Sequence, residues 1–582
     1  MCGIIGLILN EETGISEPMH MLKRLEYRGY DSFGFASNTG FLDKHVGEIG
    51  RFETVESGSD SKARVFICHT RWATHGGVTE ANAHPHISCD GKIAIVHNGI
   101  IENSQELRKM FEGKGHSFRS ETDSEIIAHF FEEALKNGRE FEEAIPDFLQ
   151  EVKGTFATLI IRKGDDRIYA IKRDSPLVLG LLNSGFALAS DIYAFSDRTN
   201  KAIFFEDNEF AVVDKDGYQF FNSMGAWIEK QTRTFEWSGS SETKKEYEHF
   251  MLKEIMEQPE SSERLINSLK TEQKDRLEKL KGAIQHSKKV MFVCAGTSYH
   301  ASLLGVYFLK KAGIDAQSVI ASEFENYAMA DRDTLVIAIT QSGETMDVMK
   351  ALKLAMGRGC RIASFVNVPY SSVQRMSETS IDIMAGQEVC VAATKSFVNQ
   401  VIVLLHIASF LGYETGSEIM EKIPKKIAET IKTNLDRVKQ LAKELSGSRD
   451  IYMIGRGMSY PVALEAALKI KEISYIHAEG MMGGELKHGT LALVEDGTPV
   501  ISFIFNDECG MVSNTKEVEA RGARTIIVSN HNNSYFNIPT NDSGTFVILS
   551  SIIGQLITYY IALEKDLPID KPRSLAKSCT VE

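Results

Sequence analysis

Residues 290–299 read VMFVCAGTSY, and residues 450–460 read DIYMIGRGMSY. In both stretches a run of apolar and β-branched residues ends in Gly, Ser and Tyr, and a helical pattern follows. Two further pairs lie at nearly the same offset of about 160 residues: TLVIAI from 334 with TPVISF from 498, and GCRIA from 359 with GARTI from 522. Buried strands that lead into helices are typical of βαβ units with a parallel sheet. The repeat therefore predicts two duplicated α/β domains.

Polar turns follow two of these predicted strands in the first copy. In parallel sheets, ligands bind at the carboxyl ends of the strands, where hydroxyl groups and helix amides together form anion sites. Ordinary helix N-capping would explain either turn alone, but two such turns in one unit favour anion binding. The candidate residues are Thr297, Ser298, Thr340, Gln341, Ser342 and Thr345.

A charged pair lies on a mostly apolar helical segment of the second copy. Lys469 and Glu472 are three residues apart and therefore share one helical face. Such a pair is usually solvated, but the apolar neighbours Leu468 and Ile473 suggest partial burial, in which the pair could shuttle protons. His488 follows in a Gly-rich stretch. An imidazole can exchange a proton at neutral pH, although a lone His is more often structural.

The first 228 residues have a different pattern. Short β-rich runs alternate with turn residues, and helical segments are predicted near 17–25, 103–113 and 123–137. This pattern predicts an α+β domain of stacked β-sheets with outer helices. We expect this domain over 2–228, a polar linker over 229–249, two α/β domains over 250–435 and 436–568, and a carboxyl-terminal tail over 569–582.

Composition restricts the class of protein. The 582 residues include 65 Lys and Arg against 79 Asp and Glu, a net charge of −14, and no basic run, so we expect no nucleic-acid partner. The eight cysteines form no CxxC pair. We therefore expect neither a disulfide framework nor a metal site, and a reducing cytoplasm fits best.

The most membrane-like stretch is FVILSSIIGQLITYYIAL at 546–563. Several polar residues interrupt it, namely Ser550, Ser551, Gln555 and Thr558. We therefore predict a strand followed by a buried helix, and no membrane partner.

Cys2 directly follows the initiator Met. Removal of that Met would leave a thiol and an α-amine on one residue, and the amine, with a reference pKa of about 7.7–8.0, could act as the base for the thiol. The alternative is a buried structural cysteine in an amino-terminal strand.

Three later segments bear on this choice: RWATHG (71–76), HNGIIEN (97–103) and SETD (120–123). Each has an ordinary explanation when taken singly. Arg71 could form a surface ion pair, Asn98 and Gly99 could form a hairpin turn, and the last segment could cap a helix.

Together with MCGIIG, LEYRGYDS (25–32) and NAHPH (82–86), these segments resemble the class II, N-terminal-nucleophile glutamine amidotransferases. The resemblance implies that Cys2 attacks the glutamine amide and that Asn98 and Gly99 form the oxyanion hole. It implies that Arg71 holds the substrate carboxylate and Asp123 its ammonium group. The implied glutamine-binding residues are Arg71, Trp72, Thr74, His75 and Asp123.

The second half resembles the two sugar-isomerase (SIS) domains of the amidotransferases that convert fructose 6-phosphate to glucosamine 6-phosphate. The matching motifs are QSGET (341–345), VAATKSF (391–397), KEISYIHAE (471–479), ELKHG (485–489) and the tail from 571 to 582. The resemblance implies that Lys577 forms a Schiff base with the ketose and that Glu472, assisted by Lys469, moves a proton between its first two carbons. It also implies that His488 opens the sugar ring from the neighbouring subunit of a homodimer, and that Val391 contacts the sugar phosphate.

These implications predict a cytoplasmic enzyme, without cofactor or metal, that joins the ammonia of glutamine to fructose 6-phosphate in the first step of the hexosamine pathway. Trp72 would gate an internal ammonia channel. One alternative is a sugar-phosphate sensor with a vestigial glutaminase, but a sensor has no need of Lys577, Glu472 or His488. Amidotransferases that make phosphoribosylamine or asparagine need an acidic phosphoribosyl loop or an SGGxDS loop, which the sequence lacks, and a SIS deglycase would lack the Cys2 domain.

Overall fold

The computed structural model describes residues 2–52, 62–235, 243–413, 417–506 and 510–578. These residues form two compact units: one comprises the chain up to 235 with the tail from Ala576, and the other runs from Thr243 to Leu575. Within the predicted linker, Arg233–Thr234 forms a short edge strand, and residues 236–242 lie outside the described residues. Cys509 and residues 579–582 of the predicted tail lie outside them as well.

Two antiparallel sheets form the centre of the amino-terminal unit. The first contains, in spatial order, β15 (Arg233–Thr234), β11 (Lys201–Phe204), β9 (Val178–Leu182), β10 (Gly185–Ala189), β1 (Gly3–Thr13), β4 (Ala63–Arg71), β2 (Ser32–Ser37) and β3 (Leu42–Val46). The second contains β14 (Trp227–Ile228), β13 (Tyr218–Phe221), β12 (Glu209–Val213), β8 (Ile168–Arg173), β7 (Gly154–Arg162), β6 (Ile93–Ile101) and β5 (His86–Ile87).

The two sheets pack face to face because side chains alternate along their strands. On β7, Ala157 and Leu159 lie in the apolar core between the sheets, whereas Phe156 and Ile160 lie in the core beneath the helices. The helices of this unit are α1 (Ser16–Arg24), α2 (Ser104–Gly113), α3 (Glu125–Lys136) and α4 (Phe141–Glu151). This layered arrangement confirms the predicted α+β fold, to which α4 is an addition.

The carboxyl-terminal unit contains two parallel sheets with the same strand order. The first is β17 (Ala316–Ile320), β16 (Lys289–Cys294), β18 (Thr334–Thr340), β19 (Arg361–Val366) and β20 (Thr379–Asp382). The second is β22 (His477–Met482), β21 (Asp450–Gly455), β23 (Pro499–Ile504), β24 (Arg524–Ser529) and β25 (Phe536–Asn537). The repeated sequence runs form equivalent strands, which confirms the predicted duplication.

Helices cover these sheets, and the buried residues of helices and strands form one large apolar core and two smaller ones. They are α5 (Phe250–Met256), α6 (Gln258–Lys270), α7 (Lys274–His286), α8 (Gly296–Lys311), α9 (Phe324–Tyr327), α10 (Met346–Gly357), α11 (Ser372–Arg375), α12 (Lys395–Phe410), α13 (Ser417–Leu445), α14 (Ser459–Ser474), α15 (Met511–Glu519) and α16 (Ser543–Glu564). The expected boundary at 435/436 falls inside α13, because buried positions such as Ile427, Ile431 and Val438 continue through it at helical spacing.

Helix α16 corrects the prediction for residues 546–563, because the segment is one continuous helix and contains no strand. A continuous apolar run fits either structure by pattern alone. Its hydroxyl groups bond back to the helix, as Ser550 does to the carbonyl of Phe546 and Thr558 to that of Gly554. Among the described residues this is the one helix long and apolar enough to cross a membrane, and 94% of its apolar window is buried inside the structure.

Candidate active sites

Cys2 lies immediately before β1 at the edge of a cleft in the amino-terminal unit. The Gly3 N–H donates a hydrogen bond to Thr70 Oγ1 over 3.0 Å, which fixes the start of the chain. The Trp72 N–H donates to Cys2 Sγ over 3.2 Å. Burial raises the pKa of the Cys2 thiol, whereas the amino-terminal charge, the Trp72 amide and the Arg71 guanidinium act to lower it.

Asn98 and Gly99 lie within β6 and not in a hairpin turn, so the ordinary explanation of this pair fails. Asn98 Nδ2 donates to the Cys2 carbonyl over 2.8 Å, while its Oδ1 lies 3.2 Å from His69 Nε2. A side-chain amide has two N–H groups, and Asn98 lines the same cleft as Cys2, so the second N–H is available to a ligand there. Gly99 has a φ of +127°, and a Cβ there would lie 2.0 Å from the Thr155 carbonyl oxygen, so only glycine fits.

Arg71 is buried, which contradicts the surface position that an ordinary ion pair would require. Its guanidinium donates to the carbonyls of Gly77 over 3.0 Å and His75 over 2.5 Å, and thereby shapes the loop that follows β4. Asp123 is also buried, and its Oδ2 accepts the Ile101 N–H over 2.7 Å. The residue at the N-cap position of α3 is Ser124, whose side chain forms no capping hydrogen bond within the described residues.

These groups line one cleft with about 450 Å³ of space. The structure thus brings together every residue predicted for the glutamine site. The lining residues are Cys2, Arg71, Trp72, Thr74, His75, His84, His97, Asn98, Gly99, Thr122, Asp123 and Ser124.

Buried histidines, which we call the histidine stack (His69, His84, His86 and His97), lie at and behind this cleft. The rings of His69 and His84 stack with centroids 4.1 Å apart, and His86 meets His84 edge-on at 4.4 Å. The His97 N–H donates to His84 Nδ1 over 3.2 Å. Burial lowers the pKa of all four, that of His69 to about 3, so the imidazoles are neutral. Sequence reasoning missed the stack, although the motifs NAHPH and HNGIIEN contain three of its members.

In the carboxyl-terminal unit, both hydroxyl-rich turns lie at the same sheet edge. β16 and β18 are parallel neighbours, so the turn before α8 and the turn before α10 lie beside each other. Thr340 Oγ1 accepts the Gly343 N–H over 3.2 Å. Gly343 has a φ of +69°, and a Cβ there would lie 2.0 Å from Ser371 Oγ. In the other turn, Ser298 Oγ accepts a hydrogen bond from Gln400 Nε2 over 3.0 Å.

Lys469 is the centre of a buried ionic cluster, not part of a solvated pair. Its Nζ lies 2.5 Å from Glu472 Oε2, 3.5 Å from Glu465 Oε1 and 3.1 Å from Thr297 Oγ1. Burial lowers the pKa of Lys469, but the two carboxylates outweigh it and raise the pKa above its ordinary value. His300 Nδ1 lies 2.7 Å from Glu465 Oε2. Sequence reasoning missed Glu465 and His300, although Glu465 stands one helical turn before Lys469.

The structure places the three remaining predicted residues, Val391, His488 and Lys577, in separate segments of the chain. The Val391 N–H donates to the Asp570 carbonyl over 3.1 Å. His488 is exposed at the end of a 3₁₀ helix over Gly483–His488. Lys577 is partly buried in the tail segment that belongs to the amino-terminal unit.

Comparison with known families agrees with this architecture. Residues 69–197 match the glutamine amidotransferase domain, and residues 283–409 and 444–537 match the SIS domain. The chain is thus a glutamine amidotransferase with two SIS domains. It is 40% identical to the glutamine–fructose-6-phosphate aminotransferase (isomerising) of Thermococcus kodakarensis and 41% identical to that of Sulfurisphaera tokodaii, with 100% of each chain covered. It therefore belongs to the isomerising glutamine–fructose-6-phosphate aminotransferase family.

Solved structures resemble the carboxyl-terminal unit. The C-terminal domain of glucosamine-fructose-6-phosphate aminotransferase from Francisella tularensis is 32% identical with a TM-score of 0.53, and covers 57% of this chain and 100% of its own. Glucosamine-6-phosphate deaminase from Thermotoga maritima, at 22% identity and a TM-score of 0.50 over 57% of this chain and 100% of its own, shows the same fold.

Proposed function

We propose that this chain is a cytoplasmic enzyme that hydrolyses glutamine and transfers the ammonia to fructose 6-phosphate, giving glutamate and glucosamine 6-phosphate. One water is consumed when the glutamine amide is cleaved, and one is released when nitrogen replaces the ketose carbonyl oxygen. The isomerisation moves hydrogen from the first carbon of the sugar to the second, so no external oxidant or reductant is needed. Membership of the aminotransferase family supports this proposal.

The first half-reaction uses the amino-terminal cleft. After removal of Met1, the α-amine of Cys2 takes the thiol proton, and the thiolate attacks the glutamine amide carbon. The free N–H of Asn98 and the N–H of Gly99 stabilise the resulting oxyanion. The proton passes to the departing ammonia, and water then hydrolyses the thioester to release glutamate.

Charged groups position the glutamine. Arg71 binds its carboxylate and Asp123 its ammonium group, since each offers the opposite charge on the cleft wall. Thr74 and His75 complete the wall. Trp72, whose ring packs edge-on against Tyr30 with centroids 5.7 Å apart, controls the exit of ammonia.

The second half-reaction uses the sugar-phosphate site. The two hydroxyl turns bind the phosphate, and Lys577 forms an imine with the open-chain ketose, which releases water. Ammonia then displaces the lysine amine from the second carbon. Glu472 removes a proton from the first carbon and returns it to the second, while Lys469 holds the carboxylate in place. His488 of the neighbouring subunit opens the sugar ring, so the active form is a homodimer.

The buried contact of Lys469 with both Glu472 and Thr297 favours an enzyme over a sugar-phosphate sensor. A sensor needs only the hydroxyl turns, and burying an ammonium and two carboxylates costs solvation free energy. Such clusters are common where a proton is moved during a reaction. The cluster is joined through Thr297 to the turn proposed to bind phosphate, and this contact supports acid–base chemistry next to the sugar.

Isotope transfer tests the whole reaction. Purified protein is supplied with amide-¹⁵N glutamine and fructose 6-phosphate, and glutamate and amino sugar are quantified by mass spectrometry. We expect one ¹⁵N-labelled glucosamine 6-phosphate for each glutamate. Glutamate without any aminated sugar, from protein that binds fructose 6-phosphate, would contradict the proposal and favour the sensor.

Two further measurements test the roles proposed for Lys577 and His488. Borohydride added with fructose 6-phosphate should attach the sugar to the peptide that carries Lys577, and bound sugar without a labelled peptide contradicts the imine. Mixing inactive His488→Ala and Glu472→Gln subunits should restore part of the activity, because mixed dimers hold one site with both groups. No recovery in proven mixed dimers contradicts a shared site.

A further inference from the structure

A second polar cluster lies in the amino-terminal unit outside the cleft lining, and the reaction proposed above does not use it. It comprises Cys89, His116, His129 and Glu132, which we call the Cys89 cluster. Cys89 follows β5, His116 follows α2, and the other two lie three residues apart on α3. One ligand atom from each residue lies within 4.8 Å of all the others.

The spacing of these atoms fits a tetrahedral metal ion. Cys89 Sγ lies 3.7 Å from the Nδ1 atoms of both His116 and His129. Glu132 Oε2 lies 3.0 Å and 3.2 Å from the same two nitrogens. Zinc with bonds of about 2.3 Å to sulfur and about 2.0 Å to nitrogen or oxygen places tetrahedral ligand atoms roughly 3.3–3.6 Å apart.

The surroundings resemble those of metal ligands as well. The far nitrogen of His116 lies 3.2 Å from a carboxylate oxygen of Glu133, whereas that of His129 has no hydrogen-bond partner among the described residues and lies 3.6 Å from Glu125. A carboxylate within hydrogen-bond distance fixes the ring tautomer, so that Nδ1 of His116 faces the other three groups. The Ser117 N–H donates to the Cys89 sulfur over 3.3 Å, a contact that stabilises a thiolate.

We propose that Cys89, His116, His129 and Glu132 bind one structural Zn²⁺ ion. A mixture of thiolate, imidazole and carboxylate suits zinc, and four protein ligands leave no open coordination position for catalysis. The ion ties the β5–β6 turn to the loop after α2 and to α3, so it stabilises the helix that begins just after Asp123. The sequence predicts no metal there because the ligands are far apart in the chain and contain no CxxC pair.

Metal content tests this site independently of catalysis. Full-length protein, treated with chelator and then dialysed against Zn²⁺, is analysed for zinc per chain and, after Co²⁺ replacement, by absorption spectroscopy. We expect about one zinc per chain, as a single four-ligand site requires, and a cobalt–thiolate charge-transfer band. Cys89→Ser should lose both signals, whereas Cys2→Ala should keep both, since Cys2 is the other partly exposed cysteine of this unit among the described residues.

Calorimetry gives a second readout. Chelator should lower the unfolding temperature of the amino-terminal unit and leave that of the carboxyl-terminal unit unchanged. Folded wild-type protein that binds no zinc or gives no thiolate band overturns the proposal, whether or not Cys89→Ser folds. Retention of both signals in Cys89→Ser, or their loss in Cys2→Ala, also overturns it. None of these outcomes affects the proposed glutamine chemistry.

Discussion

The two SIS sheets share a backbone but differ in the residues at equivalent edges. Aligning Tyr299 with Tyr460 pairs Gly296 with Gly457, and these glycines have φ values of +55° and +54°. The turn from strand into helix is therefore the same in both copies. This common turn shows that the fold of each copy does not by itself define its chemistry.

The same alignment pairs apolar residues of α8 with charged residues of α14. Leu304 and Phe308 are fully buried in the core, while Glu465 and Lys469 occupy the equivalent positions and are equally buried. Because α8 and α14 pack together, Thr297 of the first copy reaches Lys469 of the second. The duplication thus yields one composite polar cluster, in which Thr297 of the first copy contacts the charged residues of the second.

The turn of the second copy that is equivalent to the first hydroxyl turn has different residues. Met458 replaces Thr297, and a cavity with about 290 Å³ of space lies beside it. Its lining combines apolar side chains with one arginine and two serines: Arg456, Met458, Ser459, Phe503, Phe505, Met511, Ser543, Phe546 and Val547. We therefore expect equivalent substitutions in the two copies to have unequal effects.

Glu472→Gln should have the largest effect. Loss of the carboxylate that we propose transfers the proton should lower glucosamine 6-phosphate formation about 10²- to 10⁴-fold while glutamine hydrolysis persists. The equivalent residue of α8 is the exposed Lys311, and Lys311→Gln should leave both products unchanged. Glutamate and glucosamine 6-phosphate are measured for both variants. Equal losses of glucosamine 6-phosphate would contradict a special role for α14 over α8.

Lys469→Met should destabilise the carboxyl-terminal unit by about 3–5 kcal/mol, because it leaves buried carboxylates without their cation. Combining it with Glu465→Leu makes α14 resemble α8 and should restore most of that stability, although not activity. Calorimetric unfolding temperatures measure both. If Lys469→Met alone is as stable as the double variant, the charges of Lys469 and Glu465 are not energetically coupled.

Ser298→Ala should raise KM for fructose 6-phosphate about tenfold, since a hydrogen bond to a charged group contributes roughly 1.5 kcal/mol or more. Ser459→Ala, at the equivalent position of the second copy, should leave KM unchanged. Steady-state kinetics at saturating glutamine distinguish the two. A higher KM in both variants would indicate that both edges contact sugar phosphate.

The charged residues of α14 should also make stability depend on pH, and this is the smallest effect we expect. Burial opposes ionisation of Glu465, but Lys469 and His300 outweigh it and lower its pKa, so its stabilising effect is present above an unfolded pKa of 4.5 and is lost as pH falls. Lys469 has a raised pKa in the fold, so it contributes stability below its unfolded pKa of 10.5. That contribution is lost only at higher pH. The unfolding temperature should depend less steeply on pH in the Glu465→Leu, Lys469→Met double variant than in the wild type. An unchanged pH profile would contradict this prediction.

Much of this arrangement could be predicted from the sequence because it is local or repeated. The strand runs, the Gly–hydroxyl turns and the spacing of Lys469 from Glu472 are visible in short stretches. The positions of Cys2, Asn98 and Arg71 could be grouped only through a family resemblance, since they lie on three different strands or strand ends.

Features that depend on tertiary contact could not be predicted. His300 meets Glu465 across two helices from different copies, and no spacing rule connects them. The Cys89 cluster is assembled from segments separated in the chain in the same way. Helix α16 was mispredicted because burial on every side removes the amphipathic period that distinguishes a helix from a strand.

The histidine stack has a consequence for the energetics of the amino-terminal unit. In the unfolded chain these imidazoles would bind protons below their ordinary pKa of 6.5, whereas in the fold burial keeps them neutral. Stability is therefore lost as pH falls through that range, and unfolding in mild acid takes up protons from the solution. The heat of unfolding will consequently vary with the ionisation enthalpy of the buffer, so calorimetry in two buffers at one pH counts the protons that the stack excludes.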